Sequence, residues 1–79
     1  MRVTVTLHAI LRRFLPAGAG NSAVLELHQG ATAADVINRL GIPPGHARII
    51  VSGSSQLEPT SKLHDAQEID LFPPLAGGL

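Results

Sequence analysis

A single segment of this chain spaces its apolar residues at the period of an α-helix, and this feature limits the fold most. Thr32 is a favourable N-cap, and Asp35 stands three residues later, where its carboxylate can reach back to the cap backbone. Gly41 supplies the C-terminal stop, and Pro43 and Pro44 prevent continuation. The apolar stripe consists of Ala33, Val36, Ile37 and Leu40. Because one helix of about two turns cannot enclose a core, strands must supply the rest.

Four segments have the pattern of β-strands. Residues 2–9 and 23–28 alternate apolar and polar side chains, and the Gly-rich loop 16–22 between them predicts a hairpin. Residues 49–51 form an apolar run suited to a central strand, and residues 68–72 alternate again. The order of elements predicts an α+β domain with a mixed sheet of four to five strands and one main helix across one face. This is the β-grasp arrangement.

The periodicity also predicts the domain bounds and the core. One domain is expected over residues 1–74, followed by a flexible tail over residues 75–79. Residues 53–56 are expected to start a turn, and the irregular stretch 57–63 to include a short helical turn. The predicted core consists of Val3, Val5, Leu7, Leu25, Leu27, Val36, Ile37, Leu40, Ile49, Val51, Ile69 and Leu71.

Composition argues against several classes of function. Six basic and six acidic residues cancel, so a basic surface for nucleic acid is not expected. No run of about 18 apolar residues is available to span a membrane. The absence of cysteine removes disulfides, thiolate chemistry and sulfur-ligated metals, and the expected compartment is the cytoplasm. No metal site is expected either, because the histidines are widely spaced and are best interpreted as surface imidazoles: His8, His28, His46 and His64.

The C-terminal segment is the candidate functional part of the chain. Gly77 and Gly78 follow the rigid elbow Pro73-Pro74, which directs the tail away from the body. Two residues without side chains would let this tail enter a narrow channel in another protein. On the glycines alone, the alternative interpretation is an ordinary flexible terminus.

Side chains near the elbow have two interpretations each. Phe72 lies on the strand face opposite Ile69 and Leu71, and it is either an ordinary core residue or an exposed docking anchor. Leu75 has the same two interpretations. Arg12 is either a solvated charge or one half of a salt bridge to an acidic partner surface.

The whole chain is similar to a known family. Residues 71–78, Leu-Phe-Pro-Pro-Leu-Ala-Gly-Gly, resemble the Phe-Pro-Pro-x-x-Gly-Gly ending of the small subunit of molybdopterin synthase. More broadly, the chain resembles the MoaD/ThiS family of ubiquitin-like sulfur carriers. The first strand running into residues 9–13, the helix that starts at Thr32 and residues 63–65 fit the same family. Ala66 departs from it, because the family often has a glycine there, and we expect this to change the turn and not the chemistry.

The resemblance implies a carrier or small non-catalytic subunit of a synthase, with no bound cofactor. A ubiquitin-activating-type adenylyltransferase would use ATP to adenylate the carboxylate of Gly78, and a sulfur donor would convert it to a thiocarboxylate. The sulfur would pass to the large subunit of molybdopterin synthase, or to an acceptor in thiamine or cysteine synthesis. The candidate partner-binding residues are Phe72, Pro73, Pro74, Leu75 and Arg12.

Leu79 is the departure that matters for this chemistry, because it turns the carboxylate of Gly78 into an amide. Three explanations stay open: a protease removes Leu79, cloning added it, or the chain has kept the fold without the carrier chemistry. Two other functions stand beside the sulfur carrier. One is a ubiquitin-like protein modifier whose activated tail joins a lysine amine, and the other is a β-grasp binding module with an inert terminus.

Overall fold

The strands and the α-helix follow one another in the order that the sequence predicts, with one additional strand. The computed structural model describes residues 1–18, 20–43 and 45–74. A 3₁₀ helix over Ala9–Phe14 follows the first strand. The strands and the α-helix are β1 (Arg2–Leu7), β2 (Ser22–Glu26), α1 (Ala33–Arg39), β3 (Ile49–Ser52), β4 (Ser55–Leu57) and β5 (Glu68–Phe72). Within these described ranges, no helix is both long and apolar enough to cross a membrane.

The strands form one mixed sheet in the order β2-β1-β5-β3-β4. The predicted hairpin of β1 and β2 is antiparallel, and β5 inserts beside β1 as its parallel neighbour. β3 pairs antiparallel with both β5 and β4. α1 packs on one face of this sheet, where Ala33 and Val36 join the buried side chains of β1 and β5. The predicted β-grasp class of fold is therefore confirmed. We call the opposite side of the sheet the open face.

Local chemistry fixes both ends of α1. The backbone N–H of Thr32 donates to Asp35 Oδ2 at 2.8 Å, and the backbone N–H of Asp35 donates to Thr32 Oγ1 at 3.4 Å. This reciprocal capping box satisfies two donors that a helix start would otherwise leave unpaired. Gly41 follows the helix at φ 75°, a left-handed conformation that glycine adopts without strain. The predicted helix and its caps are confirmed.

The predicted core is wrong along β3. Ile50 is buried, whereas Ile49 and Val51 are half-buried and lie on the open face. A continuous apolar run carries no alternation, so the sequence does not reveal which of its residues face the helix. Pairing decides the outcome, since Ile50 stands opposite Leu71 of β5 and Leu57 of β4.

The core differs from prediction at its margins as well. Leu25, Ile37 and Leu40 are only partly buried and pack against the core. The sequence missed four further contributors, which come from the 3₁₀ helix and from loops: Leu11, Ala31, Ile42 and Leu63. Short connections in so small a domain have to cover the sheet edges, so apolar loop residues become core.

A second correction concerns the segment after β3. The turn expected from residue 53 is present, but Ser55–Leu57 then forms β4 and makes a hairpin with β3. The short helical turn expected within 57–63 is wrong, because all of these residues are described and none is helical. An isolated bridge between Thr32 and Lys62 instead holds this loop against the start of α1.

Ala66 occupies a backbone conformation that suits glycine. Its φ is 67°, and its N–H donates to the carbonyl of Arg2 at 2.8 Å. The turn therefore holds the alanine in a strained left-handed conformation. We expect Ala66→Gly to raise the free energy of unfolding by roughly 0.5–1 kcal/mol, because relief of left-handed strain exceeds the added entropy of the unfolded chain.

A urea melt of Ala66→Gly tests this expectation. Ala17→Gly is the matched control, because Ala17 is also exposed and has no positive φ. The control should lower stability by a few tenths of a kcal/mol through unfolded-state entropy. A loss of stability in both variants would show that Ala66 is unstrained.

Candidate functional site

The candidate site lies at the end of the sheet from which the tail leaves. β5 ends at Phe72, and its parallel neighbour β1 ends at the same edge with Leu7 opposite Leu71. β3 runs the other way and begins there, so that Ile49 stands opposite Phe72. His8, which directly follows β1, thus lies in a row with Phe72 of β5 and Ile49 of β3 on the open face. Asp70 lies next to this row, two residues before Phe72 and on the same face of β5. We call His8, Ile49, Asp70 and Phe72 the tail-end cluster.

His8 joins the members of this cluster. Its Nε2 lies 3.0 Å from Asp70 Oδ1, and its ring stacks on Phe72 with centroids 4.2 Å apart and planes 10° apart. The backbone N–H of His8 also donates to the carbonyl of Leu71 at 3.1 Å. Ala9 follows at φ 55°, an unusual conformation for alanine that turns the chain from β1 into the 3₁₀ helix. His8 is therefore held by its backbone, its ring and one ring nitrogen.

The cluster is accessible from solvent. The side chains of His8 and Asp70 are 37% and 39% exposed, and Phe72 is half-buried. The structure thus places Phe72 on the open face, as the alternation predicts, with one ring face covered by His8. It is not part of the core beneath α1, which favours the docking interpretation. Its role in binding a partner stays a prediction.

The other predicted site residues lie around the cluster or beyond the described chain. Pro73 is half-buried, and Pro74 is exposed and lines an open groove together with Arg48 and Ile49. Arg12 is exposed on the 3₁₀ helix, an element that packs against β5. Its role also stays a prediction. The tail residues singled out by sequence, Leu75, Gly77, Gly78 and Leu79, lie outside the described residues.

Sequence reasoning missed His8, which it interpreted as a simple surface imidazole. The available signal was the strand alternation, which places both His8 and Asp70 on the polar faces of their segments. The alternation predicts a contact between His8 and Asp70 only when β1 and β5 are known to pair in parallel. Among residues 1–18, 20–43 and 45–74, no three His, Asp or Glu side chains come together as a metal site would require.

The sequence model of the ThiS family matches residues 5–78 of this chain. The match covers nearly the whole sequence and includes both glycines of the tail. The chain belongs to the ThiS family. The expected resemblance to the MoaD/ThiS group of ubiquitin-like sulfur carriers is thus confirmed. No curated protein matches the sequence significantly.

Solved structures give this ThiS-family chain the same fold as a putative molybdopterin converting factor subunit and a small archaeal modifier protein. A putative molybdopterin converting factor, subunit 1, from Pyrococcus furiosus is 23% identical, with 94% of this chain and 98% of that chain covered and a TM-score of 0.70. The crystal structure of SAMP1 from Haloferax volcanii is 17% identical, with 99% and 100% covered and a TM-score of 0.72. A second structure of the Haloferax small archaeal modifier protein 1 is 16% identical over 94% and 98%, also at 0.72. At these identities the likeness establishes the fold alone.

Proposed function

We propose that this protein is a sulfur carrier whose Gly78, once it is the terminal residue, is adenylated and converted to a thiocarboxylate. The observation that carries the proposal is the family match through residue 78, which includes the Gly77-Gly78 end together with the β-grasp body. Such a carrier needs no catalytic side chain, because its reactive group is its own C-terminal carboxylate. It needs a stable body for docking and a thin tail that enters another protein's active site.

The chemistry has two balanced steps. An oxygen of the Gly78 carboxylate attacks the α-phosphorus of ATP, and pyrophosphate leaves with the electrons of the broken P–O bond. The resulting acyl adenylate is then attacked at its carbonyl carbon by a hydrosulfide-equivalent sulfur, and AMP leaves. The product is a glycine thiocarboxylate, a sulfur nucleophile on the end of a tail.

The acceptor we propose is the molybdopterin precursor, bound by the large subunit of molybdopterin synthase. The Phe72-Pro73-Pro74 sequence favours that branch, and one similar structure is named a molybdopterin converting factor subunit. The partners are then a ubiquitin-activating-type adenylyltransferase, which supplies the ATP chemistry, and the large subunit. When the chain is made with Leu79, a protease that removes this residue is a third proposed partner. Arg12, Phe72, Pro73, Pro74 and Leu75 are the residues proposed to contact them.

A second function is favoured by a specific observation. Two of the similar structures are named as a small archaeal modifier protein. The same acyl adenylate can transfer the Gly78 carbonyl to a lysine amine, which forms an isopeptide bond and releases AMP. Carrier and modifier share the activation step and differ in the nucleophile that follows.

Intact mass spectrometry separates these functions. The chain ending at Gly78 is incubated with the activating enzyme, ATP and a sulfide source, and the carrier is expected to gain about 16 Da as sulfur replaces oxygen. A modifier would instead gain the mass of a protein, and omission of ATP should abolish either change. An unchanged mass with an enzyme of verified activity would contradict both functions and favour the inert binding module.

A further inference from the structure

The open face has a local charge that the neutral net charge conceals. Glu68 and Asp70 project from β5, the middle strand of the sheet, on the side away from α1. Arg2 lies at the opposite end of β1 and is paired with Glu26, with Nε and Oε2 3.2 Å apart. Other basic side chains lie on the 3₁₀ helix, on α1, in the loops and beside the start of β3: Arg12, Arg13, Arg39, Lys62 and Arg48. The centre of the open face is therefore acidic and suits a basic partner surface.

The tail-end cluster presents this acidity in a defined orientation. An ionised carboxylate only accepts hydrogen bonds, so in this contact His8 Nε2 carries a proton and donates to Asp70 Oδ1. This leaves Asp70 Oδ2 with no hydrogen-bond partner among the residues that the structure describes. His8 thereby limits the rotation of the Asp70 side chain while leaving acceptor capacity for a partner.

Phe72 places an apolar surface next to this carboxylate. Its ring rests on His8, and Asp70 itself stands opposite Val51 of β3, so the half-exposed carboxylate is bordered by an aromatic and an aliphatic side chain. A guanidinium group matches this combination, because it can donate two parallel hydrogen bonds to a carboxylate and lie flat against apolar surface. A lysine ammonium offers neither the planar fork nor the stacking.

We propose that Asp70 and Phe72, oriented by His8, receive an arginine side chain of the activating enzyme when the carrier docks. The inference rests on the proposed function for its partner. His8 is a positioning residue here, because it acts through the carboxylate and the ring that it holds. Docking on this surface brings the start of the tail to the enzyme, since Phe72 directly precedes the Pro73-Pro74 elbow.

The central test removes the charge of Asp70 while keeping the shape of its side chain. In isothermal titration of the chain into the activating enzyme, Asp70→Asn should weaken binding roughly tenfold to a hundredfold, in line with the loss of a hydrogen bond to a charged group. Glu58→Gln removes the same charge from an exposed loop residue after β4 and should leave affinity unchanged. The affinity of the wild-type chain should fall as salt rises, and Asp70→Asn should show a flatter dependence.

A double-mutant cycle isolates the role of His8. His8→Ala should weaken binding about fivefold to tenfold, and this loss should shrink when Asp70 is already alanine, because the two side chains act together. Phe72→Ala should weaken binding roughly tenfold, with little change in a urea melt. Additive losses for His8 and Asp70 would contradict the positioning role.

The outcomes separate this inference from the proposed function. If the wild-type chain binds the enzyme and a form ending at Gly78 supports ATP–pyrophosphate exchange, while Asp70→Asn binds like Glu58→Gln, the arginine site is wrong and the carrier function stands. If Asp70→Asn weakens binding but no length of chain supports exchange, the docking site stands and the carrier function fails. If the wild-type chain does not bind the enzyme, both are overturned.

Discussion

A chain that ends at Gly78 is expected to support ATP–pyrophosphate exchange with the activating enzyme, and the 79-residue chain is expected to be inert. In the proposed activation the carboxylate of Gly78 is the nucleophile, and the peptide bond to Leu79 converts it to a neutral amide. Leu79 carries a carboxylate of its own, but it lies one residue, about 3.5 Å, further along the chain. Since a displacement of about 1 Å can cost a hundredfold in rate, exchange should differ by at least that factor.

Binding supplies the control for this comparison. Both lengths should bind the enzyme through the open face, so a difference in exchange with similar affinity assigns the effect to the tail. Gly78→Ala in the shorter chain should also be severely impaired, because a methyl group would enter where a channel is shaped for glycine. Equal exchange by the two lengths would refute the argument from the tail, and exchange by neither would favour an inert binding module.

The helix could be predicted from sequence because its determinants are local. Thr32 and Asp35 satisfy each other across three residues, and Gly41 supplies the left-handed stop. Each of these interactions lies within one helical turn and does not depend on where the sheet is. The hairpin of β1 and β2 could be predicted for another reason, since its two strands each alternate, follow one another in the sequence and are separated by a loop of breakers.

Which residues of β3 face the helix, and the presence of β4, could not be predicted because long-range pairing decides both. The run at Ile49 and Ile50 has the same composition on both faces, and only the register with β5 and β4 buries Ile50. β4 spans three residues and has a single half-buried apolar side chain, Leu57, which is too little for a periodicity.

The candidate site also has a part that the sequence predicts and a part that depends on long-range pairing. The Gly77-Gly78 end and the outward position of Phe72 can be predicted from motif and alternation. The contact of His8 with Asp70 joins residues 62 positions apart and exists only because β5 inserts beside β1 in parallel. A search that pairs outward polar residues of the first and last strands would find it once that topology is known.

Ile50→Ala and Ile49→Ala are expected to differ sharply in stability although the residues are neighbours. Ile50 is 1% exposed beneath α1, so its truncation removes buried apolar surface and leaves a cavity, at a cost of about 2–5 kcal/mol. Domains of this size have roughly 4–12 kcal/mol of stability in total, so the change is large. Ile49 is half-buried on the open face, and its truncation should cost about 1 kcal/mol or less.

Urea melts measure both losses, and Ile50→Val, expected to cost about 0.5–1.5 kcal/mol, keeps the test usable if Ile50→Ala does not fold. The same pair probes docking, because Ile49 borders Phe72 and Ile50 faces the core. Ile49→Ala should weaken binding of the activating enzyme, and Ile50→Val should leave it unchanged. A one-residue slip of β3 would exchange these two behaviours, since it would move Ile49 beneath α1 and remove it from the tail-end cluster. A larger stability loss for Ile49→Ala than for Ile50→Ala would therefore overturn both the register and the surface built on it.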